Sequence, residues 1–192
     1  MAPQIYLASR SPRRQELLRQ VGVRFEIVPA DVTEQPRPGQ SPADYAAAMA
    51  LAKARAGHSA VREPQPLPVL GADTDVVVDG AILGKPRGRD EALAMLARLA
   101  GRTHEVFSSV AVVLGARAEA ALSVTRVSFG AITPEQAAAY WDSGEPADKA
   151  GAYAIQGRGA QFVREIHGSY SGVVGLPLYE TLELLRRFGV GA

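Results

Sequence analysis

Apolar stretches of strand type and helix type alternate from the fifth residue of this chain onward, and this alternation restricts the fold more than any other feature. Ile5-Tyr6-Leu7-Ala8 reads as a short buried strand. Arg13 to Gln20 reads as a helix with Leu17 and Leu18 turned inward and Gly22 stopping it, and Phe25 to Val28 as a second strand. Together they make a β-α-β opening. The segment Thr33 to Pro42, with three prolines and a glycine, is a loop, and Ser41 caps an alanine-rich helix from about Pro42 to Ala60. A Pro-rich break at Pro64 to Pro68 precedes a strand over Val69 to Val78, which Asp79-Gly80 turns into Ala81-Ile82-Leu83.

Leucine spacing marks a helix from Asp90 to Ala100, and His104 to Leu114 pairs antiparallel with Ala118 to Phe129 around Gly115. Thr133-Pro134-Glu135-Gln136 opens a helix through Tyr140, and a last helix begins at Gly175-Leu176-Pro177 and runs through Phe188. Between them, Asp142 to Ser171 is rich in glycine and irregular apart from a strand expected at Gln161 to Ile166; long irregular segments of this kind more often carry function than not. A β-α-β start followed by antiparallel strands fits neither a purely parallel sheet nor an all-β barrel, so the expected class is mixed α/β. With 192 residues, no internal repeat and no separating linker, one domain spanning residues 1–192 is expected.

Charge narrows the choice of ligand. Basic and acidic residues number 21 and 20, a net charge of +1, which argues against a protein built to bind nucleic acid by neutralising phosphates. The absence of cysteine excludes disulfides and thiolate metal sites. No apolar run of signal-peptide type opens the chain and none is long enough to span a bilayer, so a cytoplasmic location without membrane attachment is the expectation.

Positive charge is nonetheless concentrated at one place. Ser11 is a natural N-cap and Pro12 a natural first helical residue, which puts Arg13 and Arg14 in the first turn, beside Arg10. Exposed N–H groups already make that end of a helix positive, and each added cation costs roughly 0.3–1 kcal/mol. One reading is a solvated helix start that tolerates the repulsion; the other is a phosphate held by those N–H groups, by the hydroxyls of Ser9 and Ser11 and by the guanidinium groups, which turns the conflict into a binding site.

Other polar residues stand out against apolar surroundings. Asp73 sits inside an apolar strand, where an unpaired carboxylate is expensive. Asp75 shares its face and Thr74 points the other way; two carboxylates on one face suit a hard divalent cation, while a solvated hairpin face accounts for Asp75 equally well. Lys85 precedes Pro86 and projects from an extended segment, Lys53 stands on an alanine-rich helix face, and Glu34 heads the Pro-rich loop. His58, His104 and His167 lack metal-ligand spacing and read as structural or surface residues. The glycine-rich Gly157-Arg158-Gly159 and Gly168 to Gly172 segments are open to phosphate or base, though such loops without a fixed pattern are weak signals.

In order along the chain, S-x-S-P-R-R at Ser9 to Arg14, G-A-D-T at Gly71 to Thr74, K-P at Lys85-Pro86, D-K-A-G-A-Y-x-I-Q-G at Asp148 to Gly157 and G-S-Y-x-x-V-V-G-L-P at Gly168 to Pro177 closely resemble the Maf family of nucleoside triphosphate pyrophosphatases. The resemblance runs from Ile5 into the last helix. Tyr153-Ala154-Ile155-Gln156-Gly157 and Gly168-Ser169-Tyr170 resemble the branch acting on dTTP and UTP, and Arg13, Thr74 and Gln156 match its positions for substrate choice.

This resemblance implies hydrolysis between the α- and β-phosphorus of a pyrimidine nucleoside triphosphate, giving monophosphate and pyrophosphate, with Mg²⁺ or Mn²⁺. It also implies an α/β fold with a mixed, strongly twisted sheet flanked by helices, two lobes around a central cleft, and a homodimer. Arg13, Arg14, Lys53 and Lys85 are suited to neutralising phosphate charge, with Ser9 and Ser11 as hydroxyl donors. Glu34 and Asp73 are suited to the metal, and Asp73 matches the family's proton acceptor. The Gln156 amide can meet a pyrimidine carbonyl and N–H at once. Asp75 stands where the family usually has an apolar residue. The alternative is a nucleotide-binding regulator of cell division that binds without turnover.

Overall fold

The computed structural model describes residues 2–61 and 67–191; residues 64–66 of the Pro-rich break lie outside them. Seven strands form one sheet: β1 (Ile5–Leu7), β2 (Phe25–Ile27), β3 (Val69–Val78), β4 (Ala81–Leu83), β5 (Thr103–Leu114), β6 (Arg117–Phe129) and β7 (Val163–His167). Their order is β2-β1-β3-β5-β6-β7, with β4 paired to the far end of β3. β1 runs parallel to β2 and β3, and every other pairing is antiparallel. The sheet is thus mixed and flanked by helices, as its segment order implies. The parallel pairings join β1 to β2 across α1 and to β3, and two of the antiparallel ones are the hairpins β3-β4 and β5-β6, whose two-residue turns only antiparallel neighbours allow.

The helices are α1 (Pro12–Gln20), α2 (Pro42–Ala60), α3 (Arg89–Leu99), α4 (Pro134–Asp142), α5 (Tyr170–Val174) and α6 (Leu178–Arg187). Several begin as their sequences dictate. The Ser41 hydroxyl accepts the Asp44 N–H at 3.1 Å, and Thr133 with Gln136 completes a reciprocal capping box at α4. Asp79 and Gly80 adopt φ of 53° and 72°, the left-handed pair that a two-residue hairpin requires. None of the helices among the described residues is long and apolar enough to cross a membrane.

The expected strand at Gln161 to Ile166 begins later than its composition suggests. A 3₁₀ segment, Arg158–Phe162, occupies its first residues, and β7 starts at Val163. The displacement has a cause at Glu145, described below. α5 was not expected at all: its five residues lie in a glycine-rich stretch with no helical period.

The placement of α2 matters most for the site. Gly71 of β3 lies directly beneath it, where a Cβ would fall 2.3 Å from the Ala50 carbonyl oxygen and 2.4 Å from the Ala54 nitrogen. Ala50 and Ala54 are wholly buried at this contact. Only residues with almost no side chain permit so close an approach of helix to strand. It sets Lys53, between those alanines, over Asp73, two residues along β3.

Candidate active site

β1 ends at Leu7, and the chain crosses four residues to enter α1 at Pro12. Ser9 closes this turn: its Oγ accepts the Ser11 backbone N–H at 3.2 Å and Arg14 Nη1 at 3.2 Å. Ser11 holds the N-cap position expected of it, yet its hydroxyl makes no capping bond, and the first turn of α1 contains no acidic residue. The helix start therefore keeps its positive character beside the cavity that Ser11, Arg13 and Arg14 line.

That cavity has a volume of about 540 Å³, and Ser9, Ser11, Arg13, Arg14, Glu34, Lys53, Asp73 and Lys85 all line it. Lys53 Nζ donates to Asp73 Oδ1 at 2.6 Å and pairs with Glu34 Oε1 at 2.5 Å, so one ammonium joins two carboxylates from distant parts of the chain. Burial pushes the Glu34 carboxyl up, but the hydrogen bond and charge of Lys53, with Lys85 and Arg14 behind, outweigh it and hold the group below its ordinary value. Burial lowers the Arg14 guanidinium from its usual value against the opposing pull of Asp73.

A second, smaller cavity of about 70 Å³ adjoins the first. Ser11, Arg13 and Arg14 line both, and the smaller one adds Thr74, Lys149, Tyr153 and Gln156. Thr74 points away from the face of Asp73 and Asp75, as strand alternation requires. Its hydroxyl donates to the Gly175 carbonyl at 3.2 Å, and Arg14 Nε donates to the same carbonyl at 2.8 Å. Arg14 Nη2 reaches Thr74 Oγ1 at 3.4 Å. Ser108 Oγ donates to the Gly172 carbonyl at 2.5 Å and sits 3.1 Å from Thr74 Oγ1. The Gly168 to Gly172 segment thus builds a supporting wall: Ser169 caps α5 through the Gly172 N–H at 3.0 Å, and the single Gly175 carbonyl beyond it orients Arg14 and Thr74.

Each residue singled out for the site lines one of these two cavities, including Gln156 at the exposed rim of the smaller. Asp75, read two ways from sequence, is 8% exposed, which removes the solvated-hairpin reading. Burial and the neighbouring Asp73 charge push its carboxyl up to about 8, and its Oδ2 is buried without a hydrogen-bond partner among the described residues. Tyr45 of α2 lies in the same field, pushed up to about 12 by burial and then by Asp75, Asp73 and Glu34. Among the described residues no three His, Asp or Glu side chains are set to hold a metal by themselves.

The histidines fall where expected. His58 Nε2 accepts the Gly115 N–H at 3.0 Å, and His167 pairs with Glu165 at the surface. His104 is buried against Tyr153, Nε2 to hydroxyl 2.8 Å.

Gly157-Arg158-Gly159 holds an anion that belongs to the chain itself. Glu145 Oε2 accepts the Arg158 N–H at 2.8 Å and Oε1 the Gly159 N–H at 3.0 Å, and the Tyr140 hydroxyl donates to Oε1 at 2.6 Å. A Cβ on Gly157 would fall 2.1 Å from Glu145 Oε2. Wrapping around this carboxylate turns 158–162 into 3₁₀ helix and delays β7. Sequence reasoning assigned Glu145 and Tyr140 no part; Glu145 has only its position in the irregular segment to mark it. Asp148 and Lys149, an ion pair, were seen within a motif and given no role, and they line the larger and smaller cavity respectively.

The Maf-like protein family model matches residues 4–188. A dTTP/UTP pyrophosphatase of Saccharophagus degradans is 52% identical over 187 residues, covering 97% of this chain and 89% of that protein. Another, of Methylococcus capsulatus, is 54% identical over 187 residues, covering 97% and 92%. The Staphylococcus aureus Ham1 protein aligns over 96% of each chain with a TM-score of 0.46 at 11% identity. Matches extending over nearly every residue that builds the two cavities establish that this chain belongs to the Maf-like protein family.

Proposed function

We propose that this protein is a nucleoside triphosphate pyrophosphatase that hydrolyses dTTP and UTP to the monophosphate and pyrophosphate, using Mg²⁺ or Mn²⁺. The observation that carries the reading is the convergence of Lys53, Glu34 and Asp73 in a cavity walled by the arginines of α1, in a chain about half identical to proteins named for this activity. A homodimer in the cytoplasm belongs to the same proposal.

The triphosphate lies in the larger cavity. Arg13, Arg14 and Lys85 neutralise its oxygens, and the Ser9 and Ser11 hydroxyls with the N–H groups of α1 orient it. Asp73 takes the proton of the water that attacks the α-phosphorus, and pyrophosphate leaves toward the basic wall. Lys53 keeps the Asp73 carboxylate in place through its 2.6 Å bond to Oδ1. The base occupies the smaller cavity, where the Gln156 amide offers a donor and an acceptor to uracil or thymine. The same carboxylates fit the metal: Glu34 and Asp73 converge closely enough to share one cation, the Lys53 ammonium, and would hold Mg²⁺ beside it, since Mg²⁺ takes one or two protein carboxylates when phosphates complete its shell. Bound there, it supplies charge stabilisation on the phosphoryl oxygens.

A panel of nucleoside triphosphates with Mg²⁺ tests the reading: dTTP and UTP release pyrophosphate, and Asp73→Asn lowers that release by about 10³-fold or more while the thermal transition persists. Near-normal turnover in the variant removes Asp73 from the chemistry. No monophosphate from any nucleotide favours the regulator that binds without turnover.

A further inference from the structure

The two side chains that hold the N–H groups of the 154–159 turn have no place in the mechanism above, yet among the described residues no other side chain is shown accepting those N–H groups; the Gln161 amide adds one bond to the Arg158 carbonyl at 2.9 Å. Tyr140 and Glu145 come from the end of α4 and the 3₁₀ segment that follows, Glu145–Asp148. The Tyr140 hydroxyl accepts the Ala154 N–H at 3.0 Å and donates to Glu145, whose carboxylate accepts the N–H groups of Arg158 and Gly159. One contact lies two residues before Gln156 and the others two and three residues after it. Gln156 itself, exposed at the cavity rim, forms no hydrogen bond among those described, so its placement depends on the backbone either side of it.

The fit is close. At Gly159 a Cβ would come 2.6 Å from the Tyr140 hydroxyl and 2.6 Å from the Ala154 carbonyl, and at Gly157 it would enter the Glu145 carboxylate. Burial pushes the Glu145 carboxyl up, but the hydrogen bonds from Tyr140, Arg158 and Gly159 outweigh it and keep the group charged. A carboxylate accepting several N–H and O–H donors in a half-buried setting is a stiff joint.

From this geometry we infer that Glu145, acting with Tyr140, is a positioning residue for base selection: it holds the turn that presents Gln156 to the base without touching the nucleotide itself. The inference rests on the pyrimidine-nucleotide reading of the site. It separates the energetics of choice from those of cleavage, since the carboxylates and lysine of the larger cavity make no contact with Tyr140 or Glu145 in the bonds described.

Glu145→Gln is the direct test, because the amide keeps its oxygen on only one of the two backbone N–H donors and sets an NH₂ group against the other. Selectivity is read as the ratio of affinities for non-hydrolysable α,β-methylene analogues of UTP and CTP, measured by calorimetry on the full chain. Glu145→Gln lowers the preference for the UTP analogue about fivefold, while kcat on UTP stays within roughly twofold of the wild type. In a Gln156→Ala background the same substitution changes the ratio by less than about twofold, as expected when one residue acts through the other. An unchanged ratio in folded Glu145→Gln overturns the inference, as does an equal fall in both backgrounds or a wild type with no preference between the analogues.

Should Glu145→Gln show no thermal transition, Tyr140→Phe decides by the same ratio, with a fall of about two- to threefold expected and no change refuting. Because selectivity is read in binding, a wild type that binds the UTP analogue preferentially but releases no pyrophosphate refutes the hydrolytic reading and leaves the positioning inference supported or refuted on its own data.

Discussion

The two cavities handle their work with different materials. The larger sets charged side chains from regular elements, arginines on α1, Lys53 on α2 and Asp73 on β3, beside Glu34 and Lys85 from loops. The smaller is built largely from backbone, with Thr74 and Arg14 steered by the carbonyl of Gly175, Ser108 held by that of Gly172, and Gln156 carried on a turn clamped by Glu145. Phosphate chemistry needs fixed charges at short range, and a helix pressed on a strand supplies rigidity at low cost in residues. Reading a base needs a shape that backbone loops can make. Cleavage is therefore expected to fail when elements move apart, and selectivity when a loop loosens.

The strongest way to break the first half of that contrast is at Gly71. Gly71→Ala forces α2 off β3, because the new methyl meets backbone atoms at 2.3 and 2.4 Å that cannot step aside. A loss of about 3 kcal/mol or more in stability is expected, with turnover down by roughly 10²-fold in what remains folded, as Lys53 leaves Asp73. Chemical denaturation and pyrophosphate release measure the two; a variant as stable and active as the parent refutes the account of how α2 is seated.

His104 tests the wall behind the smaller cavity. Its imidazole is buried against Phe129 and Tyr153, and burial lowers it from 6.5 to about 4. A base whose folded value lies below its unfolded one binds fewer protons when folded, so its contribution is full above pH 6.5 and is lost as pH falls toward 4. That loss is about 3 kcal/mol at the ordinary conversion for a group of this burial. Denaturant midpoints across that range, compared with His104→Gln, should show the fall largely removed in the variant; parallel curves sink the assignment.

Ser11, which borders both cavities, sharpens the comparison with the smallest effect. A serine that truly caps loses about 1 kcal/mol on conversion to alanine, but this hydroxyl makes no capping bond. Ser11→Ala is expected to leave the melting temperature within about 1 °C and raise KM for UTP by roughly threefold. A clear drop in melting temperature shows that the hydroxyl caps α1 after all.

How much of this is legible in the sequence follows the same division. The β-α-β opening, the Asp79-Gly80 hairpin and the capped starts of α2 and α4 rest on local rules and emerge at nearly the expected residues. So does the shared face of Asp73 and Asp75, which is only strand alternation. Glu34, Lys53 and Lys85 stand out singly, at the head of a loop, on an alanine-rich helix face and before a proline, but no local pattern announces that they meet. The strand expected at Gln161 starts late, and α5 goes unseen, because the conformation of 157–172 is decided by partners at Tyr140, Glu145, Thr125 and Ser108, far away in the chain. The importance of Gly71 is invisible for the same reason: nothing about an isolated glycine in a strand says which helix lies on it.

Arg14 bonds to a serine five residues back, to a threonine 60 residues on and to a carbonyl 161 residues on. The most charged part of the molecule thus has one of its earliest residues oriented by one of its latest. Such long-range closure makes folding slow relative to a chain of local contacts, and it also has a consequence during synthesis. A nascent chain still holding Gly175 inside the ribosome already displays the arginines, the lysine and the carboxylates, but without the carbonyl that aims Arg14. Arg14 therefore takes its final orientation only once the segment that carries Gly175 has packed against Thr74 and Ser108.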